Sequence, residues 1–364
     1  MKSKLFRTAA GLLAAVLLLP VDVTAASAKS SIVMDALSGR ILQENHADER
    51  SLIASTTKIM TALVVCEQCN VLDRVRIPKA AVGIEGSSMY LREGEVLTVQ
   101  ELLYGLMLHS GNDAAVALAI YCGGTVEGFA ELMNDKARYL GLTGTHYVNP
   151  NGLDHPQHYS TARDLAVLSA YAMQNPIFAK TVSAKTVTIG SRSLKNHNKL
   201  LWLLDGADGV KTGYTKAAGR ILVSSATRNG RRLIAVTIHD RNDWQDHIDM
   251  LESGFRNFRI RQLVSAGEQV GTMKILSGAE KEVPILAQED FFYAMADGEE
   301  ATYAVQSPGF VYAPVTMGAD AGFVYICIDE NCVGKVPIIY GQTVEMEPEP
   351  KRHFWDVIFG GRKS

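Results

Sequence analysis

Hydrophobic and polar positions alternate near both ends of the first 260 residues and follow helical spacing between them. Ser31–Asp35 and Arg40–Glu44 alternate on either side of a Ser-Gly turn, which is typical of a β-hairpin. A second hairpin is predicted for Ile221–Ala226 and Leu233–Ile238, which are joined through an Asn-Gly turn. The apolar segments between the hairpins predict helices at 59–65, 99–108 and 114–121. Because strands frame helices, the pattern predicts an α+β fold whose sheet is assembled from both ends of this region.

The pattern changes after about residue 260, where short alternating runs follow one another with turn residues between them. These runs lie at 269–276, 282–286, 301–305, 323–328 and 334–339. Short alternating strands at close spacing predict a small β-rich domain. We therefore expect a first domain over residues 29–260, a β-rich domain over 261–345, and a linker with a short tail over 346–364.

Residues 1–28 have the layout of a signal peptide, with basic residues, an apolar run from Ala9 to Leu19, and small residues after it. The run is too short to span a bilayer comfortably, and Ala26-Ser27-Ala28 fits a cleavage site. An uncleaved anchor helix is the alternative interpretation. Both interpretations predict that the protein is exported.

Composition is that of an ordinary globular protein. The 364 residues are 47% hydrophobic and 21% charged, which allows a substantial core. The formal net charge is -3, and the sequence has no long basic block with interleaved aromatic residues. Nothing in this balance indicates nucleic-acid binding.

Five cysteines leave their pairing open. Cys327 and Cys332 flank a predicted hairpin turn, where the geometry of a disulfide can be met. Cys66 and Cys69 have CxxC spacing but lack the βαβ surroundings of a redox motif, so we interpret them as small residues on a helix. With Cys122 the count is odd, which predicts at least one free thiol or a pair with another molecule.

The first motif whose residues could carry out a reaction is Ser55-Thr56-Thr57-Lys58, at the start of a predicted helix. A Ser and a Lys three residues apart share one helix face. A lysine that burial or another cation keeps neutral can take the proton of the serine hydroxyl. A serine before a helix is also a common N-cap, so this motif alone does not identify a nucleophile.

The second motif is Ser110-Gly111-Asn112, which follows an apolar predicted helix. A hydroxyl and an amide this close together can relay a proton and hold a substrate carbonyl. The same residues are, by themselves, equally typical of a helix break and cap.

The third motif is Lys211-Thr212-Gly213-Tyr214, on a predicted strand. Lys211 and Thr212 are suited to bind a carboxylate, and Gly213 lets a substrate backbone come close to the strand. The alternative is an exposed strand edge with a solvated lysine.

Taken together and in this order, the three motifs resemble the signature of penicillin-binding proteins and serine β-lactamases. The surrounding sequence resembles the low-molecular-mass, serine-type D-alanyl-D-alanine carboxypeptidases (peptidase family S11) at 54–63, 86–89, 94–95, 102–115, 151–153 and 158–165. The resemblance covers about residues 29–345 and is looser in the β-rich domain. It implies a β-lactamase/transpeptidase-like catalytic domain, an antiparallel sheet with a helical region, over residues 29–260.

The resemblance also implies roles for the motif residues. Ser55 would attack the carbonyl between the two terminal D-alanines of a peptidoglycan stem pentapeptide, with Lys58 as the general base. Ser110 would relay a proton to the leaving amine, and Asn112 would position Lys58 and the substrate. Lys211 and Thr212 would hold the terminal carboxylate.

The oxyanion hole implied by the resemblance consists of the backbone N–H groups of Ser55 and Tyr214. Gly213 would let the peptide dock along the strand. Many relatives carry His at the position of Tyr214, and little loss is expected because only the backbone is used there.

The resemblance implies no metal and no cofactor, β-lactams as covalent inhibitors, and a role in cell wall biogenesis, remodelling and cell shape at the cell wall or the outer face of the cytoplasmic membrane. The spacing of His155 and His158 does not fit a helical zinc motif, so we interpret them as loop histidines. The tail at Phe354–Phe359 either touches the membrane surface or is disordered.

Three other functions stay open. A β-lactamase would need an added Glu for deacylation, and Glu131 is the only local candidate, in a predicted helix. An endopeptidase that cuts peptidoglycan cross-links cannot be separated from a carboxypeptidase by these motifs. A non-enzymatic penicillin sensor or wall-binding module would be recognised by slow deacylation, and the three intact motifs argue against it.

Overall fold

The computed structural model describes residues 26–348. The predicted signal peptide, apart from its last residues, and the predicted membrane-associating tail therefore lie outside the described part of the chain. The helices of the described part are α1 Lys58–Gln68, α2 Val99–Leu108, α3 Asn112–Gly123, α4 Val126–Tyr139, α5 Ala162–Ala172, α6 Pro176–Ser183, α7 Leu200–Leu203 and α8 Asp243–Asn257. The strands up to residue 238 are β1 Ser30–Asp35, β2 Ile41–Asn45, β3 Arg74–Arg76, β4 Val96–Thr98, β5 Thr186–Ile189, β6 Arg192–Lys195, β7 Ala207–Thr215, β8 Gly219–Arg228 and β9 Arg231–Ile238.

The main sheet of the first domain has five antiparallel strands in the order β2-β1-β9-β8-β7. Strand β1 of the first hairpin pairs with β9, the last strand of this domain, in a register that runs from Ser30 opposite Ile238 to Asp35 opposite Leu233. Asn229 and Gly230 join β8 to β9 with φ angles of 50° and 78°, as a type I′ hairpin turn requires. The predicted α+β fold, with a sheet built from both ends of the domain, is confirmed.

The sheet carries apolar layers on both faces. On one face α8 buries Met250 and Leu251 against Leu222 and Leu233. On the other face the larger core lies among the helices, and α1 is at its centre, with buried side chains from Ile59 to Val65. The first turn of α1 therefore lies at the junction of the sheet and the helical core.

Side-chain caps start several of these helices. Thr98 and Glu101 form a reciprocal capping box at the start of α2. Thr125 caps α4 and Thr161 caps α5, in each case through the N–H three residues later. Within residues 26–348 no single helix has both the length and the apolar composition to cross a membrane, although the bent pair α3 and α4 passes that test together.

The second domain is β-rich, as predicted, with strands β10 Phe258–Val264, β11 Gln269–Leu276, β12 Glu282–Ala287, β13 Phe291–Ala296, β14 Ala301–Gln306, β15 Val311–Tyr312, β16 Asp320–Ile328 and β17 Asn331–Tyr340. Six of them form a sheet in the order β14-β16-β17-β12-β11-β15, and β10 pairs with β13. Cys327 and Cys332 are joined by a disulfide across the turn between β16 and β17. The sheet has a separate core that includes Val283, Ile326 and Val336.

Arg40 connects the two domains. Its guanidinium donates hydrogen bonds to both carboxylate oxygens of Glu299 at 2.5 and 2.6 Å and to the carbonyl oxygen of Ala294 at 2.6 Å. It also lies over the rings of Phe258 and Tyr293, about 5 Å from each centroid. Only 16% of the Arg40 side chain and 21% of the Glu299 side chain are exposed, so this ion pair is shielded from water.

Candidate active site

Ser55 and Lys58 lie at the start of α1, where a short 3-10 turn over Ala54–Thr57 runs into the helix. The turn places Lys58 Nζ 2.9 Å from Ser55 Oγ. Ser55 is half-buried and lines a cleft, whereas Lys58 is fully buried. A hydroxyl in hydrogen-bond contact with a buried amine is the arrangement that an activated serine nucleophile requires.

Lys58 donates two further hydrogen bonds, to Asn112 Oδ1 at 2.7 Å and to the carbonyl oxygen of Asn151 at 2.6 Å. Burial lowers the pKa of Lys58 well below its ordinary value of 10.5, and the nearby Lys211 cation lowers it further. Asp113 acts in the opposite direction. The environment therefore favours the neutral amine, which is the form that can accept a proton.

Asn112 is held from both sides of its amide. The Nδ2 group donates to the carbonyl oxygen of Glu85 at 2.5 Å, so Oδ1 is left to face Lys58. The backbone N–H of Asn112 donates to the carbonyl oxygen of Ser87 at 2.7 Å. These contacts fix the loop before Met89 against the first turn of α3 and place Ser87 at the cleft.

Asp113 is a functional residue that the sequence analysis did not assign. It is buried, and its carboxylate accepts hydrogen bonds from Ser88 Oγ at 2.7 Å and from the backbone N–H groups of Met89 and Leu91 at about 3 Å. It holds the same loop that Asn112 contacts. Its acidic character at the first turn of a helix and its place in the family-like segment 102–115 were the signals in the sequence.

The Lys211-Thr212-Gly213-Tyr214 segment lies on β7, the edge strand of the main sheet. A Cβ atom on Gly213 would lie 3.2 Å from the carbonyl oxygen of Ile53 and 3.3 Å from the backbone nitrogen of Ser55. Glycine therefore allows the strand to pack closely against the turn that carries the nucleophile. The open edge of β7 is available for the backbone of an extended peptide.

Lys211 is buried and does not line the cleft. It is 2% exposed, and its Nζ donates to the carbonyl oxygen of Thr212 at 2.9 Å. Burial lowers the pKa of Lys211 to about 7. Thr212, which is half-buried, and Tyr214, which is 65% exposed, do line the cleft.

Arg220 is a cationic residue of the cleft wall that the sequence analysis missed. It is directly opposite Tyr214 in the β7–β8 register. Its guanidinium makes a forked contact with Asp243 at 2.7–3.1 Å, and it lies 5.9 Å from the ring centroid of Trp244. Its position at the first turn of the hairpin after the third motif was the available signal, whereas nothing in the sequence linked it to Asp243.

The 3-10 turn is held in place by Gly152 and His158. Gly152 has a φ of 84°, and a Cβ there would lie only 1.8 Å from the carbonyl oxygen of Ala54. His158 is buried, and its Nδ1 accepts a hydrogen bond from the N–H of Val148 at 3.2 Å. Its Nε2 therefore carries the proton and donates to Thr57 Oγ1 at 2.7 Å. Burial lowers the pKa of His158 to about 4, which keeps the ring neutral.

The cleft has a volume of about 290 Å³. The structure brings all eight predicted site residues to it: Ser55, Ser110, Thr212, Gly213 and Tyr214 line it, while Lys58, Asn112 and Lys211 lie buried beside it. A second cavity of about 670 Å³ shares His197 with the cleft and is also lined by His109 and Trp202. Glu131 is exposed on α4 and does not line either space, so it is not placed to activate a deacylating water.

Two family models match the chain. The model described as D-alanyl-D-alanine carboxypeptidase matches residues 20–242, and the model described as penicillin-binding protein 5, C-terminal domain, matches residues 258–346. These ranges correspond to the sheet-and-helix domain and to the β-rich domain of the structure.

Curated relatives and solved structures agree with these matches. D-alanyl-D-alanine carboxypeptidase DacF of Bacillus subtilis is 31% identical, over 85% of this chain and 84% of its own length. D-alanyl-D-alanine carboxypeptidase DacC of Escherichia coli is 33% identical, over 89% of this chain and 86% of its own. The crystal structure of penicillin binding protein 5 from Haemophilus influenzae superposes with a TM-score of 0.78 at 31% identity, covering 88% of this chain and 98% of that one.

The family match, the two-domain fold and the Ser55–Lys58 pair lead to one conclusion. The chain belongs to the D-alanyl-D-alanine carboxypeptidases of the S11 serine peptidase family and is a low-molecular-mass penicillin-binding protein.

Proposed function

We propose that this protein removes the terminal D-alanine from peptidoglycan stem pentapeptides through an acyl-enzyme on Ser55. The observation that carries the proposal is the 2.9 Å contact between Ser55 Oγ and the buried Lys58 amine. The amine has its pKa lowered by burial and by Lys211, so it is suited to take the serine proton.

Acylation proceeds in two steps. Ser55 Oγ bonds to the carbonyl carbon of the penultimate D-alanine while its proton passes to Lys58, and the resulting oxyanion is stabilised by the backbone N–H groups of Ser55 and Tyr214. The C–N bond then breaks, and Ser110 relays a proton to the amine of the departing D-alanine. Asn112 keeps Lys58 in position during both steps. Water afterwards hydrolyses the ester and frees the tetrapeptide.

The terminal carboxylate is held by Thr212 and by the positive charges near it. Lys211 contributes from its buried position, where its Nζ donates to the carbonyl oxygen of Thr212. Arg220 is the cation that reaches the cleft surface, and its fork to Asp243 keeps it oriented. A guanidinium recognises a carboxylate more specifically than an ammonium does, so Arg220 is our candidate for the direct contact.

The location of the substrate defines where the protein works. Peptidoglycan lies outside the cytoplasm, so residues 1–28 act as a signal peptide in this proposal. The protein then contributes to cell wall biogenesis and cell shape at the wall or the outer face of the cytoplasmic membrane. β-Lactams imitate the D-Ala-D-Ala end and acylate Ser55. We extend the proposal to a peripheral membrane contact through Phe354–Phe359, whose apolar residues are flanked by basic ones.

An endopeptidase activity on peptidoglycan cross-links is a second candidate. It is favoured by the cavity of about 670 Å³ that begins at His109 and His197, next to the proton-relay residue Ser110. A leaving group larger than D-alanine would extend into that space. Release of monomers from a cross-linked peptide dimer, at a rate comparable to D-alanine release, would support this activity.

The test is release of free D-alanine from a pentapeptide ending in D-Ala-D-Ala, with residues 29–364 and a Ser55→Ala control. Release by the wild type alone is the expected result. Absence of release, with Ser55 acylated by penicillin and deacylating very slowly, would instead identify a penicillin sensor. A substantial rate from Ser55→Ala would exclude the proposed nucleophile.

A further inference from the structure

The buried hydrogen bond between Lys58 and Asn112 joins the first residues of two helices, α1 and α3. Lys58 is the first residue of α1 and Asn112 is the first residue of α3, and their side chains are 2.7 Å apart. The helices have similar lengths, 11 and 12 residues, and pack against each other. Their C-terminal ends therefore also meet, about three helical turns away from the catalytic groups.

Side-chain contacts join those far ends. Tyr121, in the last turn of α3, donates a hydrogen bond to Asp73 Oδ2 at 2.9 Å, and Asp73 follows α1 closely. Cys69 is the residue that ends α1 and Cys122 lies in the last turn of α3, and both side chains pack against the same hydrophobic core where the two helices meet. Both cysteines are half-buried and both are reduced in the structure.

We propose that Cys69 and Cys122 form a disulfide that ties together the far ends of the two helices carrying Lys58 and Asn112. A bond at this place would restrain sliding of α1 against α3, the motion that would lengthen the Lys58–Asn112 contact. The remaining thiol, Cys66, lies almost one turn before Cys69 and stays reduced.

The chemistry is thiol–disulfide exchange with an external disulfide, carried by an oxidoreductase or by a small molecule. The Cys122 sulfur, as thiolate, attacks one sulfur of that disulfide, forms a mixed disulfide and displaces one thiol. The Cys69 sulfur then attacks Cys122, forms the Cys69–Cys122 bond and releases the second thiol. Two thiols of the protein are oxidised, the external disulfide is reduced to two thiols, and two protons pass from the protein thiols to the products.

The surroundings of the three cysteines indicate which thiol attacks the external disulfide first. The neighbouring Cys69 thiol lowers the pKa of the Cys122 thiol, and Cys122 raises the pKa of Cys69. Burial raises the pKa of Cys66 to about 12, so it is a poor nucleophile at neutral pH. A Cys66–Cys69 bond would link two positions of the same helix, α1. A Cys69–Cys122 bond joins α1 to α3 and leaves α1 intact.

The first test counts and maps thiols in the whole protein. The protein is exposed to oxidised glutathione, the remaining thiols are labelled with a maleimide, and the intact and protease-digested masses are measured without reduction. One label, at Cys66, and a Cys69–Cys122 cross-linked peptide are expected. Three labels, or a Cys66–Cys69 peptide, would overturn the proposal.

The second test asks what the bond does for stability. Reduction should lower the Tm of the wild type and of Cys66→Ser by several degrees more than that of Cys69→Ser and Cys122→Ser. The last two variants control for the separate Cys327–Cys332 disulfide, which reductant also opens. An equal shift in all four proteins would refute a stabilising cross-link between α1 and α3.

Discussion

Lys58 is a buried amine whose Nζ donates to the amide oxygen of Asn112 and to the backbone carbonyl of Asn151, which leaves the lone pair of the neutral form to face the Ser55 hydroxyl. A group surrounded in this way is held in one position but is short of solvation, so its charged form is disfavoured. The sequence could predict the pairing of Ser55 with Lys58 from their spacing. It could not predict the contact with the Asn151 carbonyl, because that loop is distant in the chain and folds beside α1 only in the tertiary structure.

Replacing Lys58 with Met should lower the rate of penicillin acylation by about 10²–10⁴-fold while the fold is retained, since Met fills the site without a charge. In the wild type, the acylation rate should rise with pH and level off well below pH 10.5, because the reactive form is the neutral amine and the pKa of Lys58 is lowered. Stopped-flow acylation measured across pH checks both statements. Lys281→Met, at an exposed lysine, serves as the control. A Lys58→Met rate within tenfold of wild type would contradict a general-base role.

The β7–β8 strand register puts Arg220 opposite Tyr214 at the cleft. Its orientation for carboxylate binding depends on Asp243, which is remote in sequence. Replacing Arg220 with Gln should lower kcat/KM for a peptide with a free terminal carboxylate by about 10–100-fold, the range of a charge-assisted hydrogen bond. The same peptide with an amidated terminus should lose much less. The Arg220→Gln/Asp243→Asn double variant repeats the measurement without an unpaired buried carboxylate. Equal losses on both peptides would remove Arg220 from carboxylate recognition, and a selective loss only in Lys211→Ala would assign that role to Lys211.

At the scale of elements, the main strands and helices could be predicted from periodicity, because each buries one apolar face. The 3-10 turn over Ala54–Thr57 could not, since its conformation depends on what packs against it. Ala54 has a φ of 45°, an unfavourable conformation for a residue with a Cβ, and the loop at Gly152 lies directly against its carbonyl oxygen. β10 and β13 were also missed, because Phe291–Ala296 is almost continuously apolar and β10 begins directly after α8.

Gly152→Ala should disturb this turn severely. The added Cβ would overlap the Ala54 carbonyl oxygen, and the φ of 84° disfavours alanine in addition. Gly190→Ala is the matched control, because Gly190 has a φ of 58° with no atom near the added Cβ, so it should cost only about 1–2 kcal/mol of unfolding free energy.

Thermal unfolding and penicillin acylation measured on the two variants test this comparison. Gly152→Ala should lose most of its acylation rate and show the larger fall in Tm. Similar behaviour of the two variants would mean that the close approach of Gly152 to Ala54 is not required.

At the scale of the whole molecule, the sequence predicted two domains from a change in strand pattern, and the structure gives each its own core. The contact between the domains was not predicted, because Arg40 and Glu299 are separated by most of the chain and each resembles an ordinary surface charge in the sequence. The hydrogen bonds from Arg40 lower the pKa of Glu299 below its usual value of 4.5. The contribution of Glu299 to stability is therefore present above its unfolded pKa and is lost as pH falls through its lower folded pKa.

Arg40→Ala should lower the unfolding free energy by about 1–3 kcal/mol, since it leaves a shielded carboxylate unpaired. It should also speed proteolysis around Phe258, where the domains join, while the acylation rate of Ser55 stays unchanged. Lys281→Ala, which breaks the exposed ion pair with Glu347, should change stability by less than about 1 kcal/mol. Equal effects of the two variants on proteolysis and stability would show that Arg40 does not hold the domains together.

The central claim is that Ser55 is the acylated nucleophile, and intact-mass measurement after exposure to benzylpenicillin tests it most directly. One covalent adduct, mapped to the peptide that contains Ser55 and absent from the Ser55→Ala variant, is the predicted result. An adduct on another residue, or an equally labelled Ser55→Ala protein, would contradict the account.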